Sequence, residues 1–346
     1  MSSSSEVEYP RRILDYMEGF LVSKTLFAAC ELGVFDLLSQ SKQSMRAAEI
    51  AHRLKTNVDG MERLLAACVG LELLHVEMIE GEAVYYNAEL SRIYLTRSSP
   101  KSLFQSIQYN SQTIYLCWHN LTDAVREGRN QYERAFGVSS KDFFEALYRS
   151  EEEVLKFMEL MNSVWNICGR DVVTAFDLST FEKICDLGGC SGAIAKQCVL
   201  TYPEAMVTIF DLPKVVEMSK KHFVSAEENR ISFQEGDFFR DPLPVADLYV
   251  LARILHDWTD EKCVELLIKV NKACQPGGGV LLIEALLNED KSGPLTVQLY
   301  SLNMLVQTEG RERSPTEYLR LLEAAGFKDI QVQRTGKLYD TILGRK

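Results

Sequence analysis

No apolar run approaches the ~18 residues that a membrane-crossing helix requires, and the N-terminus offers no basic stretch leading into an apolar signal core. A soluble, cytosolic protein with no membrane partner is the expectation. Positive charge is in deficit, 38 Lys and Arg against 49 Asp and Glu for a net charge of -11, and the basic residues do not gather into a stripe that could track phosphates. Nucleic acid is therefore excluded as an expected partner. The nine cysteines include no C-x-x-C pair, and Cys185, Cys190 and Cys198 have neither a histidine partner nor zinc-finger spacing. They read as reduced, structural thiols, and no metal is expected. Charged and low-complexity tracts are also missing; only "MSSSS" at the start reads as frayed.

What is present falls into two rhythms. At 346 residues the chain exceeds what one core usually organises, so two domains are expected. From Tyr9 to about Trp165 the periodicity is helical, with Ile13, Leu14, Met17, Phe20, Leu21, Leu26 and Phe27 spaced near three and four. "MRAAEIAHRLKT" and "NVDGMERLL" predict two short helices with a turn at "NVDG", and "LHVEMIEGEAVYYN" predicts a hairpin turning at Gly81. Helix, turn, helix, hairpin is the order of a winged-helix module, and in an acidic chain it points to dimerisation rather than DNA. The expected organisation is a helical, winged-helix-like dimerisation domain over 1–110, a helical connection lining the pocket over 111–170, and an α/β domain over 171–346.

From about Phe181, "KICDLGG", "MVTIFDLP", "ISFQEGDFF", "ADLYVLARIL" and "GGVLLIEALL" predict five strands separated by helices. That alternation implies a Rossmann-like, largely parallel sheet covered on both faces. Such sheets bind ligands beyond the carboxyl ends of their strands. In "DLGGCSG" a first strand ends in glycines, Gly188 among them, where the backbone can turn tightly against a ligand. Asp211 ends the second strand about 20 residues later, placed to accept ribose hydroxyls. Asp237 and Phe238 end the third and could hold and stack on a purine. The glycine spacing is not G-x-G-x-x-G, which sets a nicotinamide dehydrogenase aside; an adenosyl sulfonium has no phosphate to hold and suits acidic strand ends.

The segments "DLGG-x-SG", "FDLP", "EGDFF-x-DPLP-x-AD", "HDW-x-D", "C-x-PGGG" and "ERSPTEY" together resemble the class I S-adenosylmethionine-dependent small-molecule O-methyltransferases, most of all their hydroxyindole-methylating members. The likeness covers nearly the whole chain. It implies methylation of the 5-hydroxyl of N-acetylserotonin by S-adenosylmethionine, giving melatonin, and a homodimer interlocked through the N-terminal helices. It also implies that Tyr148, Trp165, Asp211, Gly236, Asp237, Phe238 and Arg253 contact the cofactor. His256 would be the base, oriented by Glu284 and Glu312, while Asp257, Asn303 and Gln307 would face the indole substrate. Another phenol as substrate leaves fold and cofactor unchanged.

The chemistry gives His256 its role. A phenol-like hydroxyl with a pKa of about 10 is ionised in roughly one molecule in a thousand at pH 7, whereas methyl transfer needs the oxyanion. A histidine with an ordinary pKa near 6.5 is mostly neutral there and can take the proton as the oxygen attacks. His52, His75, His119 and His222 lack the company that Arg253, Asp257, the glycine loop and the "ERS" segment give His256. A carboxylate on the imidazole Nδ1–H would fix its tautomer, which is the part expected of Glu284 or Glu312. Arg313 could instead neutralise Glu312.

Overall fold

The computed structural model describes residues 9–41, 43–137 and 150–346. The described chain divides after Gln112 into two compact units.

The first unit begins with α1 (Arg11–Leu32), which ends where Gly33 takes a left-handed conformation, and continues into α2 (Val34–Ser41). A short strand β1 (Met45–Arg46) precedes α3 (Ala47–Leu54) and α4 (Val58–Gly70). The "NVDG" segment is not the turn itself: Asn57 caps α4 by accepting from the Gly60 N–H at 3.0 Å, so Val58–Gly60 are already helical and the chain reverses just before them. Side-chain capping by Asn is as good a helix start as it is a turn signal, hence the shifted boundary. Strands β2 (Leu74–Ile79) and β3 (Glu82–Asn87) form the expected hairpin, with Glu80 and Gly81 both at positive φ. β1 adds to the other side of β3, making a three-stranded wing. Helices α5 (Glu89–Tyr94) and α6 (Phe104–Tyr109) complete the unit.

Its core joins Ala29, Cys30, Phe35, Ile50, Leu65, Leu74 and Tyr85. Only the C-terminal half of α1 reaches that core. Ile13, Tyr16, Met17, Phe20 and Leu21 are each more than half exposed.

The second unit opens with short helices α7 (Tyr115–Trp118), α8 (Leu121–Glu127) and α9 (Tyr132–Phe136), followed by the long α10 (Glu151–Val173), capped by Ser150. Then strands and helices follow, alternating as far as β6: β4 (Lys183–Leu187), α11 (Ala193–Thr201), β5 (Met206–Asp211), α12 (Pro213–His222), β6 (Ile231–Glu235), β7 (Ala246–Ala252), α13 (Asp260–Ala273), β8 (Cys274–Glu284), α14 (Leu295–Gln307), α15 (Pro315–Ala324), β9 (Lys328–Gln333) and β10 (Asp340–Arg345). The sheet runs β6-β5-β4-β7-β8-β10-β9, parallel through β8 and antiparallel for β10 and β9. These last two strands go beyond the five expected from sequence. β9 alternates Ile330 and Val332 with polar residues, and β10 is one short buried run, both too brief to stand out.

Side chains alternate across the sheet as the two-residue period demands. Leu248, Val250, Leu281 and Ile283 join α10 and α11 on one face, while Tyr249, Leu251, Val280 and Leu282 join α13 and α15 on the other. All nine cysteines are free, and all but Cys190 are buried. No helix among the described residues is long and apolar enough to cross a membrane.

Candidate active site

The strand order reverses at β4, with β5 on one side and β7 on the other, and a cavity opens at the carboxyl ends of these strands. The glycine loop forms one wall. Gly188 lies at φ +72°, a conformation that favours glycine, and a Cβ there would come within 2.5 Å of Ile254 Cδ1 and push that side chain aside. Cys190, also lining the cavity, is at φ +52° and donates its N–H to Asp211 Oδ2 at 2.9 Å. The other oxygen of Asp211 accepts from the Leu212 N–H at 2.8 Å. Burial raises the Asp211 pKa to about 6 against these hydrogen bonds. Behind it, Asp186 is raised to about 7 by burial and by the Asp211 charge.

Gly236, Asp237 and Phe238 follow β6 and line the same cavity. Asp237 is held by the Phe239 N–H, and Phe238 meets Phe239 and Trp258 edge-on, with ring centres 4.9 and 6.3 Å apart. Phe157 and Met161, four apart on α10, form an apolar wall that sequence reasoning missed. Their only signal was the helical period they share with core residues of the same helix. Trp165, one turn beyond Met161, is buried against Tyr339 and does not line this cavity. Tyr148 lies outside the described residues.

The end of β7 carries the charged centre. Arg253 is at φ +59°, a conformation disfavoured for a bulky residue. Its N–H is tied to the Ile283 carbonyl at 2.9 Å. The guanidinium Nη1 donates to Glu284 Oε2 and Glu312 Oε2, both at 2.9 Å, and Nη2 donates to Glu312 Oε1 at 2.5 Å. Its face lies 5.1 Å from the Tyr339 ring centre. Arg253 thus lines the cavity with its charge already committed to two buried carboxylates. Glu284, Glu312 and His256 could bring one ligand atom each within 4.8 Å of one another, and the cation these carboxylates hold in this structure is the guanidinium.

His256 sits in a single turn of 3₁₀ helix, Leu255–Asp257. Its Nδ1 is 2.8 Å from Arg253 Nη2 and 3.4 Å from Glu312 Oε1, and its Nε2 is 3.0 Å from the Arg253 carbonyl and 3.5 Å from Asp257 Oδ1. Burial and the Arg253 charge press the imidazole pKa down, Asp257 and Glu312 press it up, and the upward pull prevails. Burial alone would raise Glu312, but Arg253 and His256 hold it at about 2. Glu284 does not take the part expected of it on the imidazole. It receives Arg253 and the Leu255 N–H, the latter at 3.0 Å, so it anchors the start of the turn. Nor does Arg313 neutralise Glu312: it pairs with Asp260 at 2.7 Å.

Asp257 lines the cavity, and burial raises its pKa. Asn303 and Gln307 share a face of α14. Asn303 Oδ1 accepts the Trp118 indole N–H at 2.8 Å, and the Gln307 amide reaches the Asn303 carbonyl at 3.4 Å. Neither lines the cavity described above.

Residues 118–328 match the model of the O-methyltransferase domain, and residues 14–97 that of the O-methyltransferase dimerisation domain. The chain belongs to the O-methyltransferase family. Among curated members, it is 64% identical to the acetylserotonin O-methyltransferase of Gallus gallus and 55% identical to that of Homo sapiens, in each case over all of both chains. The solved structure of human N-acetylserotonin methyltransferase in complex with SAM superimposes with a TM-score of 0.96 at 55% identity, covering 100% of this chain and 99% of that one. The O-methyltransferase fold is therefore the one described here: a helical dimerisation domain followed by a class I α/β sheet domain.

Proposed function

We propose that this O-methyltransferase transfers a methyl group from S-adenosylmethionine to the 5-hydroxyl of N-acetylserotonin, giving melatonin, with His256 as general base. The near full-length likeness to acetylserotonin O-methyltransferases carries the choice of substrate. The cavity fits the cofactor. Among the described residues its lining has three aspartates, Asp211, Asp257 and Asp237, the last paired with Arg240 at 3.3 Å, and one cation, Arg253, engaged elsewhere, so it suits a ligand with positive charge and no phosphate. Each Asp211 oxygen accepts one backbone N–H and keeps acceptor capacity for a ribose hydroxyl. Phe238 offers a ring for the purine, and Phe157 and Met161 keep that end dry.

When bound, S-adenosylmethionine supplies an electrophilic methyl on a cationic sulfur. The chain's part is to remove the hydroxyl proton and hold the acceptor in line. In the observed arrangement Arg253 can only donate to His256 Nδ1, and the Arg253 carbonyl can only accept from Nε2–H. To take a proton at Nε2, the imidazole must carry its resting proton on Nδ1, turn that N–H away from the Arg253 Nη2 donor and onto Glu312, and release the Arg253 carbonyl. Glu312 then balances the imidazolium. Asn303 and Gln307 are proposed to read the acetamide, with the Asn303 oxygen accepting from Trp118 and its NH₂ serving as the donor to the acetamide carbonyl.

The N-terminal domain is proposed to pair two copies into a homodimer through the apolar face that α1 exposes. A panel of N-acetylserotonin, serotonin, a catechol and a flavonoid with labelled methyl donor tests the activity, and N-acetylserotonin should be preferred. His256→Ala should lower kcat by about 10²-fold or more while cofactor affinity holds. Transfer to the other phenols alone would overturn the substrate, and an unchanged kcat the base.

A further inference from the structure

The turn that presents His256 and Asp257 is poorly held by its own bonds. It is three residues of 3₁₀ helix, closed by long contacts from the Asp257 N–H to the Ile254 carbonyl at 3.2 Å and from the Trp258 N–H to the Leu255 carbonyl at 3.3 Å. Runs of this kind are short and geometrically weak, and Arg253 enters it in a strained conformation. Glu284 anchors the start through the Leu255 N–H. Something else must fix the end.

Arg313 does so from the side away from the cavity. It is 1% exposed, and it donates from Nη1 to the Leu255 carbonyl at 2.9 Å and from Nη2 to the Trp258 carbonyl at 2.7 Å. Its Nε reaches Asp260 Oδ1 at 2.8 Å, which supplies the opposite charge at the start of α13. One guanidinium fork thus spans the turn from its first residue to the one after its last. Three residues earlier, Gly310 passes flat against the same backbone. A Cβ there would lie 2.1 Å from the His256 carbonyl oxygen and 2.5 Å from both Asp257 C and Trp258 N. All three are main-chain atoms, so no side-chain rotation could make room.

We infer that Gly310 and Arg313 are positioning residues for the reaction: together they set where the His256–Asp257 backbone lies without touching substrate or cofactor. The inference rests on the proposed function for its effect on turnover, and on the geometry alone for its effect on the turn. Removing the fork leaves two buried carbonyls without their strongest donor and frees the turn to shift. Lysine is a point charge and cannot reach both carbonyls and Asp260 together.

The test uses the full-length protein carrying Arg313→Met, Arg313→Lys or Gly310→Ala. The readouts are kcat and KM with N-acetylserotonin, cofactor Kd by calorimetry, and the pH titration of the His256 ring proton by NMR, assigned by its loss in His256→Gln. Because misplacing a reacting group by about 1 Å costs on the order of 10²-fold, Arg313→Met should lower kcat about 100-fold, with KM and cofactor Kd changed less than about threefold. Arg313→Lys should recover part of that loss, and the His256 titration should shift in both. Gly310→Ala keeps the fork and should give the same kcat-selective loss; it serves if Arg313→Met does not fold. Wild-type kcat in Gly310→Ala, or a wild-type His256 titration in the arginine variants, overturns the inference. If His256→Ala stays active while the arginine variants shift the titration, the base assignment fails and the positioning stands.

Discussion

Arg253 Nη2 lies 2.8 Å from His256 Nδ1, and the same guanidinium is gripped by Glu284 and Glu312. The imidazole therefore faces a cation that two carboxylates hold, and one of those carboxylates, Glu312, also lies 3.4 Å from the same ring nitrogen. Its pKa nonetheless stands above the ordinary value, because Asp257 and Glu312 outweigh burial and Arg253.

The acid limb of the pH–rate profile follows from this balance. A base works deprotonated, so kcat/KM should rise with pH through an apparent pKa above about 6.5. Glu312→Gln removes one of the influences that raise it, and the limb should move to lower pH. Steady-state rates from pH 5 to 9 on both proteins check this, and an unmoved limb would assign it to another group.

Asp211 should matter to the cofactor and in a pH-dependent way. Asp211→Ala should raise the cofactor Kd by about 10-fold or more, taking ~1.5–3 kcal/mol for a hydrogen bond to a charged group. With a pKa of about 6, the wild-type carboxylate is increasingly protonated below that pH and accepts hydroxyls less well. Affinity should accordingly weaken from pH 8 to pH 5 in the wild type and change less in Asp211→Asn. Calorimetry at the two pH values decides it; equal slopes would remove Asp211 from the ribose.

Asp186 makes a prediction about stability. Its folded pKa of about 7 is raised by burial and the Asp211 charge. The unfolded value is about 3.9. Between these values the folded state holds the extra proton, so stability falls as pH rises and the cost is complete above pH 7. Asp186→Asn should raise Tm at pH 8, by less as the pH is lowered towards 5. Scanning calorimetry measures it, and a lower Tm at pH 8 would mean that the carboxylate has a stabilising partner.

Met17→Glu with Phe20→Glu places two charges on the exposed apolar face of α1. Sedimentation should show loss of the dimer with the helical content of the chain retained. A dimer of unchanged strength would move the interface elsewhere.

Much of the fold was legible because the signals were local. The alternation of apolar strands with helical segments after Phe181 dictates a covered parallel sheet, and Asp211 and Asp237 were visible as acidic residues at strand ends, with Asp257 in the segment that follows β7. The hairpin turn at Glu80–Gly81 was legible in its glycine. The composition set the acidic surface, and the exposed stripe of α1 was written in its spacing. Other features depend on residues brought together from far apart. Glu312 is 59 residues from Arg253, and no periodicity records that their side chains meet. That Glu284 grips Arg253 and the Leu255 N–H, that Arg313 spans the His256 turn, that Phe157 and Met161 face the cavity while Trp165 does not, and that β10 inserts between β8 and β9 were all decided by packing. Spacing along the chain specifies which face a side chain occupies, whereas the partner across that face is chosen only when the sheet brings separate strand ends to one edge.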